Sequence, residues 1–292
     1  DAMERALYNG VLSGMALDGR SFFYVNPLEA APEACRFDER KFHVKPVRQK
    51  WFGCACCPPN LARLLSSIGS YAYTEKEDTL YIHLYMGSMV QKEIQGETAE
   101  ISVTSGYPWN GGVSVKVRGT SLPFTIALRI PEWCADEYQV RGTEGAETRT
   151  ENGYLYVTKA WGAEDQVELS FPMEVRVFEA DSRVREDIGK VAVMRGPVVY
   201  CLEEADNGTD LHLLSLDVHA EPEVREREIA GTTVKGIALS GYRQDPVYIE
   251  GKGLYRVVKE IKRNPVKLQF VPYYTWANRG ENEMRVWVQR AD

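Results

Sequence analysis

The sequence lacks the features that define several large classes of protein. It has no excess of basic residues, since 35 Lys and Arg face 42 Asp and Glu for a net charge of −7. A broad basic face for nucleic acid or for an anionic membrane is therefore not expected. No apolar run approaches the roughly 20 residues that a membrane-spanning helix needs. Hydrophobic residues at 44% and charged residues at 26% exclude a disordered or fibrous chain. We expect a globular protein with neither a nucleic-acid nor a membrane partner.

Cysteine is scarce too, but half of it is concentrated in one place. Of six cysteines, three lie within four residues: Cys54, Cys56 and Cys57. A disulfide between the neighbours Cys56 and Cys57 would strain the chain, and thiolates this close repel each other unless a soft cation such as zinc neutralises them. The residues alone leave two interpretations open, a metal or nucleophile site and small hydrophobes buried beside a turn. We expect the other three to be inert: Cys35, Cys134 and Cys201.

The pattern along the chain predicts a helical part followed by two groups of strands. Helices are predicted over 1–14 and, with Pro58 and Pro59 in the first turn, over 58–68. Short alternating segments bounded by turn residues then suggest two all-β units of the β-sandwich type. The predicted strands are 79–86, 99–104, 112–118, 124–130, 153–158 and 165–171, then one from about 175, and 191–194, 198–201, 234–239, 254–258, 266–271 and 284–289.

Several segments closely resemble one enzyme family, the β-L-arabinofuranosidases of glycoside hydrolase family 127. The resemblance runs in order along the whole chain. It is carried by residues 4–10 (ERALYNG), 23–29 (FYVNPLE), 53–60 (GCACCPPN), 191–197 (VAVMRGP) and 271–279 (VPYYTWANR).

The resemblance implies a mainly β chain, with two β-sandwich domains following a helical remnant of an (α/α)6 barrel. Residues 1–72 would be the C-terminal end of the catalytic barrel. Residues 73–177, joined by a last strand within 281–292, would form the first sandwich. The second sandwich would comprise residues 178–280.

The resemblance also implies a site built on a cysteine nucleophile. Cys56 matches the thiolate that attacks the anomeric carbon and is at the same time a zinc ligand, and Cys57 matches a second zinc ligand. Tyr24 matches a tyrosine beside the nucleophile, and Glu4 matches a glutamate that binds sugar hydroxyls. The alternatives without a functional role are an aromatic core residue for Tyr24 and an exposed helix carboxylate for Glu4. The implied reaction is retaining hydrolysis that releases L-arabinose from an oligosaccharide substrate.

Part of the family's site has no match in this sequence. Asp1 falls inside a helical pattern, so we expect the chain to be the C-terminal part of a longer protein. The remaining zinc ligands and the general acid/base are expected upstream of Asp1, so the zinc site should be incomplete and the chain alone inactive.

Two other functions stay open. One is a non-catalytic carbohydrate-binding or scaffolding module, whose candidate sugar-stacking residues are Trp109, Trp133 and Trp276. The other is a thiol redox or structural-zinc protein. Clustered free thiols favour a reducing bacterial cytoplasm, and the sandwiches would allow a homodimer, although no motif indicates one.

Overall fold

The chain is mainly β, as predicted, and divides into two compact units. The computed structural model describes residues 1–134, 137–162, 165–249 and 253–291. One unit comprises Asp1–Glu4 and Pro59–Glu174, and the other comprises Arg5–Pro58 and Val175–Asp292. In the described part of the chain, no helix has both the length and the apolar character needed to cross a membrane.

The helices are short and lie mostly in the first quarter of the chain. The α-helices are α1 (Ala2–Ala6), which continues as a π-helical turn (Leu7–Val11), α2 (Pro32–Phe37), α3 (Cys57–Ser66), α4 (Gly69–Ala72) and α5 (Glu204–Asn207). Pro58 and Pro59 lie in the first turn of α3, where a missing backbone N–H leaves no hydrogen bond unmade. The two helices predicted from periodicity are thus present.

The strands are numbered in chain order. They are β1 (Glu29–Ala30), β2 (Tyr73–Lys76), β3 (Thr79–Ile82), β4 (Ser88–Ile94), β5 (Glu97–Ser105), β6 (Gly112–Arg118), β7 (Pro123–Arg129), β8 (Gln139–Arg141), β9 (Glu147–Glu151), β10 (Tyr154–Ala160), β11 (Gln166–Ser170), β12 (Val175–Glu179), β13 (Lys190–Arg195), β14 (Val198–Glu203), β15 (Leu214–Asp217), β16 (Glu223–Ile229), β17 (Thr232–Gln244), β18 (Arg263–Pro272), β19 (Met284–Arg285) and β20 (Val288–Ala291).

The unit that contains residues 59–174 has two five-stranded sheets. Their strand orders are β2-β3-β7-β10-β9 and β4-β5-β6-β11-β8. In β5 and β6 the buried side chains alternate with more exposed ones, as expected for strands with one face on a core and the other towards water. The buried members include Ile101, Val103, Val115 and Val117.

The other unit is built on a ten-stranded sheet that closes on itself. Its order is β1-β19-β14-β18-β17-β15-β20-β13-β12, with β16 beside β17, and a further pairing of β13 with β14 closes a ring of strands. Hydrogen bonds therefore join all these strands into one sheet, where the prediction was a separate sandwich. Its core is a cluster of apolar residues that includes Val193, Tyr200, Leu239, Phe270 and Val288.

Three predictions about this region need correction. The segment 281–292 does not return to the first β unit, because β20 pairs with β13 and β15 of the second. β12, which starts at Val175, already belongs to the ten-stranded sheet, so the boundary falls before residue 175 rather than after 177. No strand forms at 254–258, where the apolar side chains are exposed and pair with no strand of the described residues.

Candidate functional site

The helical segment Arg5–Pro58 belongs to the same unit as the ten-stranded sheet. The Asn9 side chain is buried and ties the start of this segment to the β13–β14 turn, because it donates to the Pro197 carbonyl at 2.8 Å and accepts from the Val199 N–H at 2.7 Å. Phe22 is paired with Gln49 by two backbone hydrogen bonds of 2.9 and 3.0 Å. This pairing brings residues 22–24 alongside the segment that leads into the cysteine loop.

The cysteine loop presents its thiols to solvent. Cys54 and Cys56 are exposed, and Cys57, which begins α3, is half-buried. The Sγ atoms of Cys56 and Cys57 lie 4.0 Å apart. Within the described residues, none of these three cysteines forms a disulfide. The interpretation of this cluster as small buried hydrophobes is therefore wrong for Cys54 and Cys56, whose side chains are exposed.

Tyr24 lies beside these thiols with its side chain 50% exposed. Its ring is 5.8 Å from that of Phe52, centroid to centroid, and its hydroxyl interacts with the Cys56 side chain. Negative charge on Cys56 and then on Cys54 raises the pKa of Tyr24. The phenol is thus kept protonated where it can donate to the Cys56 sulfur. Tyr24 is not a core residue, and the structure brings it together with Cys56.

The pair Cys56 and Cys57 fits two corners of a tetrahedral zinc site. Two thiolates bound to one zinc at about 2.3 Å lie about 3.8 Å apart when the geometry is tetrahedral, close to the 4.0 Å between these sulfurs. Among the described residues, no group of three or more His, Cys, Asp or Glu side chains is placed to hold a metal. The assignment of zinc to this pair stays a prediction in which this chain supplies two ligands.

Glu4 lies in the other unit and is enclosed there. Its side chain is 2% exposed and forms an ion pair with Arg129. The Tyr107 hydroxyl donates to Glu4 Oε1 at 2.5 Å, and the Trp133 indole N–H donates to Oε2 at 3.3 Å. Arg129 also contacts Asp1 at 3.1 Å. The alternative of an exposed helix carboxylate is wrong. These contacts are those of a buried structural anchor, and sugar binding by Glu4 stays a prediction.

Trp276 and the three isolated cysteines are buried. Trp276 is fully buried, so the expectation that it stacks on a sugar from solvent is wrong. The isolated cysteines are buried, in agreement with an inert role: Cys35, Cys134 and Cys201. Burial raises the pKa of Cys35 and, more strongly, that of Cys201, which keeps both as neutral thiols.

Sequence reasoning missed the residues that support the site. Phe52 contacts the rings of Phe22 and Tyr24. Buried Arg48 lies over Phe23, which in turn stacks on Trp276. The motifs at 23–29 and 271–279 contain Phe23 and Trp276, so the motif matches were a signal for these two residues. Phe22 and Phe52 lie one residue before the motifs at 23–29 and 53–60. Arg48 lies in an irregular charged segment that carries no such signal.

Comparison with known proteins gives a consistent result along the chain. Three domain models of one family match it: the GH127 β-L-arabinofuranosidase catalytic domain at residues 1–70, the GH127 middle domain at 79–173, and the family 127 C-terminal domain at 175–289. A curated relative, the non-reducing end β-L-arabinofuranosidase of Bifidobacterium longum, is 35% identical over 99% of this chain and 45% of its own length.

Solved structures agree with this match. The crystal structure of a GH127 β-L-arabinofuranosidase from Geobacillus stearothermophilus T6 is 47% identical, with a TM-score of 0.90 over 99% of this chain and 46% of that chain. A GH127 β-arabinofuranosidase structure is 33% identical, with a TM-score of 0.81 and coverages of 99% and 45%. The chain thus spans about half the length of these relatives.

Proposed function

Since the chain belongs to glycoside hydrolase family 127, we propose that it carries the nucleophile of a retaining β-L-arabinofuranosidase, and that the nucleophile is Cys56. The observation that carries the proposal is the exposed Cys56 thiol, which interacts with the Tyr24 side chain and lies 4.0 Å from the Cys57 sulfur. It lies in the part of the chain that matches the family's catalytic domain.

The arrangement suits nucleophilic substitution at an anomeric carbon. A thiolate is intrinsically a strong nucleophile, and it is activated when neighbouring groups favour its charged form. Tyr24 can donate a hydrogen bond to this sulfur, because its phenol stays protonated beside it. The Cys56 sulfur would bond to the anomeric carbon as the bond to the leaving oxygen breaks. Water would then displace the sulfur, and two inversions give net retention.

Zinc fits the proposal through Cys56 and Cys57. When bound, it would stabilise the thiolate form of Cys56 at neutral pH. A general acid would protonate the leaving oxygen in the first step, and its conjugate base would take the proton of the attacking water in the second. The proposed substrate is an oligosaccharide with a terminal L-arabinofuranosyl group, in line with the name of the curated relative.

The finer architecture is part of the same proposal. The two five-stranded sheets of residues 73–174, with alternating buried positions, would pack as a β-sandwich. The helices of residues 1–72 would be part of an (α/α)6 barrel. Large apolar side chains exposed in that region, such as Phe37 at 79% and Trp51 at 71%, support this, since a barrel would cover them.

The test uses the protein expressed from its natural gene, with p-nitrophenyl β-L-arabinofuranoside as substrate. Cys56→Ser should lower kcat by roughly 1,000-fold or more, because a hydroxyl without a base is a poor nucleophile. Cys54→Ser is the matched control on the same exposed loop and should leave kcat nearly unchanged. Near-normal kcat in Cys56→Ser would overturn the proposal. Of the three tryptophans that could stack on a sugar, Trp276 is buried and the Trp133 indole is bonded to Glu4. The sugar-binding module is therefore supported only by half-buried Trp109 and is the less favoured function.

A further inference from the structure

A buried arginine contacts the segment that leads to Tyr24. Arg48 is 6% exposed, and its guanidinium makes four hydrogen bonds to backbone carbonyls. Nε and Nη2 donate to Ser13 O at 3.1 and 3.0 Å, Nη1 donates to Trp276 O at 2.6 Å, and Nη2 also donates to Tyr274 O at 3.2 Å. One side chain therefore joins the first helical segment to the turn after β18.

The same guanidinium completes a stack of planar groups. Its central carbon lies 4.5 Å from the centre of the Phe23 ring. Phe23 is 2% exposed and stacks on Trp276 at 4.6 Å, with the ring planes 11° apart. Phe23 is thus almost completely buried and in contact with both Arg48 and Trp276. Because Phe23 and Tyr24 are consecutive, fixing the first limits where the second can point.

Arg48 is connected to the site by a second route. Gln49, the next residue, is paired with Phe22 by two backbone hydrogen bonds. Phe52, which follows on the same segment, contacts the Phe22 ring at 5.0 Å and the Tyr24 ring at 5.8 Å. The segment then continues directly into the cysteine loop. Arg48 therefore anchors both of the segments that meet at Tyr24 and Cys56.

The loop that accepts the Arg48 hydrogen bonds is itself held by buried charges. Glu203 is fully buried, accepts from the Ala277 N–H at 2.9 Å, and forms an ion pair with Arg279 at 2.5 Å. Burial lowers the pKa of Arg48 to about 10, and the nearby Tyr273 and Glu203 counteract part of this effect. Arg48 is therefore charged at neutral pH. A lysine could not reproduce its planar set of donors.

We propose that Arg48 is a positioning residue, which holds Tyr24 against Cys56 through the Phe23 stack and through the pairing of Phe22 with Gln49. This inference rests on the proposed function, because it assigns Arg48 a part in the same site.

A double-mutant cycle tests whether Arg48 acts through Tyr24. In the natural protein, Arg48→Lys should lower kcat by about 10- to 100-fold, as expected for a small misplacement at a reacting centre. Tyr24→Phe should lower kcat as well. The double variant should resemble Tyr24→Phe alone, since residues that act as a unit give non-additive effects. Additive losses would overturn the inference, because they would mean that Arg48 acts on stability or elsewhere in the site.

Arg243→Lys is the matched control. Arg243 lies in the same unit and also donates to backbone carbonyls, those of Thr209 at 2.8 Å and Asn207 at 2.5 Å. Among the described residues, it forms no hydrogen bond with residues 22–24. Its replacement should lower the melting temperature without changing kcat. If Arg48→Lys does not fold, Phe23→Leu removes the stacked ring while keeping Arg48. That variant should show the same non-additivity with Tyr24→Phe.

A second readout does not depend on hydrolysis. Chelator-treated protein is alkylated with iodoacetamide at one fixed pH, and the labelling rate of Cys56 is divided by that of Cys54. Arg48→Lys and Tyr24→Phe should change this ratio in the same direction, and the double variant should add nothing further. An unchanged ratio in Arg48→Lys would contradict the inference. This assay separates the two failures, since activity in Cys56→Ser would refute the proposed function while leaving the alkylation cycle interpretable.

Discussion

The two places to which the structure assigns the expected site residues differ sharply in exposure. Cys56 and Tyr24, on two neighbouring segments, are exposed. Glu4 is 2% exposed and is enclosed by Arg129, Tyr107 and Trp133. A group that attacks a substrate must be reachable, whereas a buried carboxylate with every oxygen bonded contributes to stability. The resemblance of the motifs therefore indicates where the site residues lie in the sequence, but it does not indicate which of them are exposed.

The largest predicted effect concerns the buried side of this comparison. Arg129→Met leaves the Glu4 carboxylate buried without its ion-pair partner, and it should lower the free energy of unfolding by about 3–5 kcal/mol. Urea denaturation followed by fluorescence would measure this loss.

The control is the double variant Glu4→Gln with Arg129→Met, which removes both charges and should recover part of the lost stability. The contradicting outcome concerns Glu4→Gln alone. If this variant left the free energy of unfolding unchanged but raised KM for the arabinofuranoside, Glu4 would be a sugar ligand and not a structural anchor.

A smaller effect is expected in the acid dependence of stability. Burial alone would raise the pKa of Asp206, but hydrogen bonds from Arg279 and Arg227 lower it overall. The folded pKa is thus below the unfolded value of about 4. The stabilisation is fully present above that value and is lost as the pH falls through the lower folded pKa.

Asp206→Asn should therefore be less stable at neutral pH, and its stability should fall less steeply between about pH 4 and pH 2 than that of the wild type. The matched control is Glu226→Gln, since Glu226 is exposed and pairs with Lys235 on the surface. That variant should behave like the wild type in denaturant titrations across the same range. Equal changes in both variants would show that exposure does not separate the two kinds of carboxylate.

The smallest predicted effect is on the exposed side. Cys54→Ser and Cys56→Ser should change the free energy of unfolding by no more than about 0.5 kcal/mol, as for most exposed substitutions. Denaturation of metal-free protein measures this change. A loss of several kcal/mol in metal-free Cys56→Ser would mean that this thiol is part of the packed core.

Local patterns account for much of this fold. The prolines at the start of α3 and the alternation in β5, β6 and β7 are properties of contiguous residues, and those elements form where they were predicted. The destination of β20 is not a local property. Val288 joins the core of the ten-stranded sheet because β13 and β15 flank it, and both partners are more than 70 residues away in sequence.

The segment 254–258 fails for a related reason. Its apolar, β-branched residues have strand propensity, but a strand forms only when a neighbouring strand offers its hydrogen-bonding groups. The segment lies exposed instead, with Tyr255 at 92% and Val258 at 90%. Strand propensity alone therefore predicted a strand at 254–258 that does not form.

The candidate site shows the same division. The resemblance pointed to Tyr24 and Cys56, and the structure brings them together. Arg48 could not be found this way, because its role depends on the carbonyls of Ser13, Tyr274 and Trp276, which are distant in sequence. Because the acceptors of these hydrogen bonds are backbone carbonyls, which every residue has, the residue types in the sequence do not indicate that Arg48 binds there.

The central claim is that the Cys56 sulfur becomes covalently bonded to the sugar. The direct measurement is peptide mass spectrometry of the natural protein, acid-quenched during turnover of p-nitrophenyl β-L-arabinofuranoside. We expect a pentosyl adduct on the peptide that contains Cys56, and a released sugar of retained anomeric configuration. The Cys56→Ser variant, in which Tyr24 is unchanged, should give no adduct. An adduct on another residue, or release of the inverted anomer without any adduct, would contradict it.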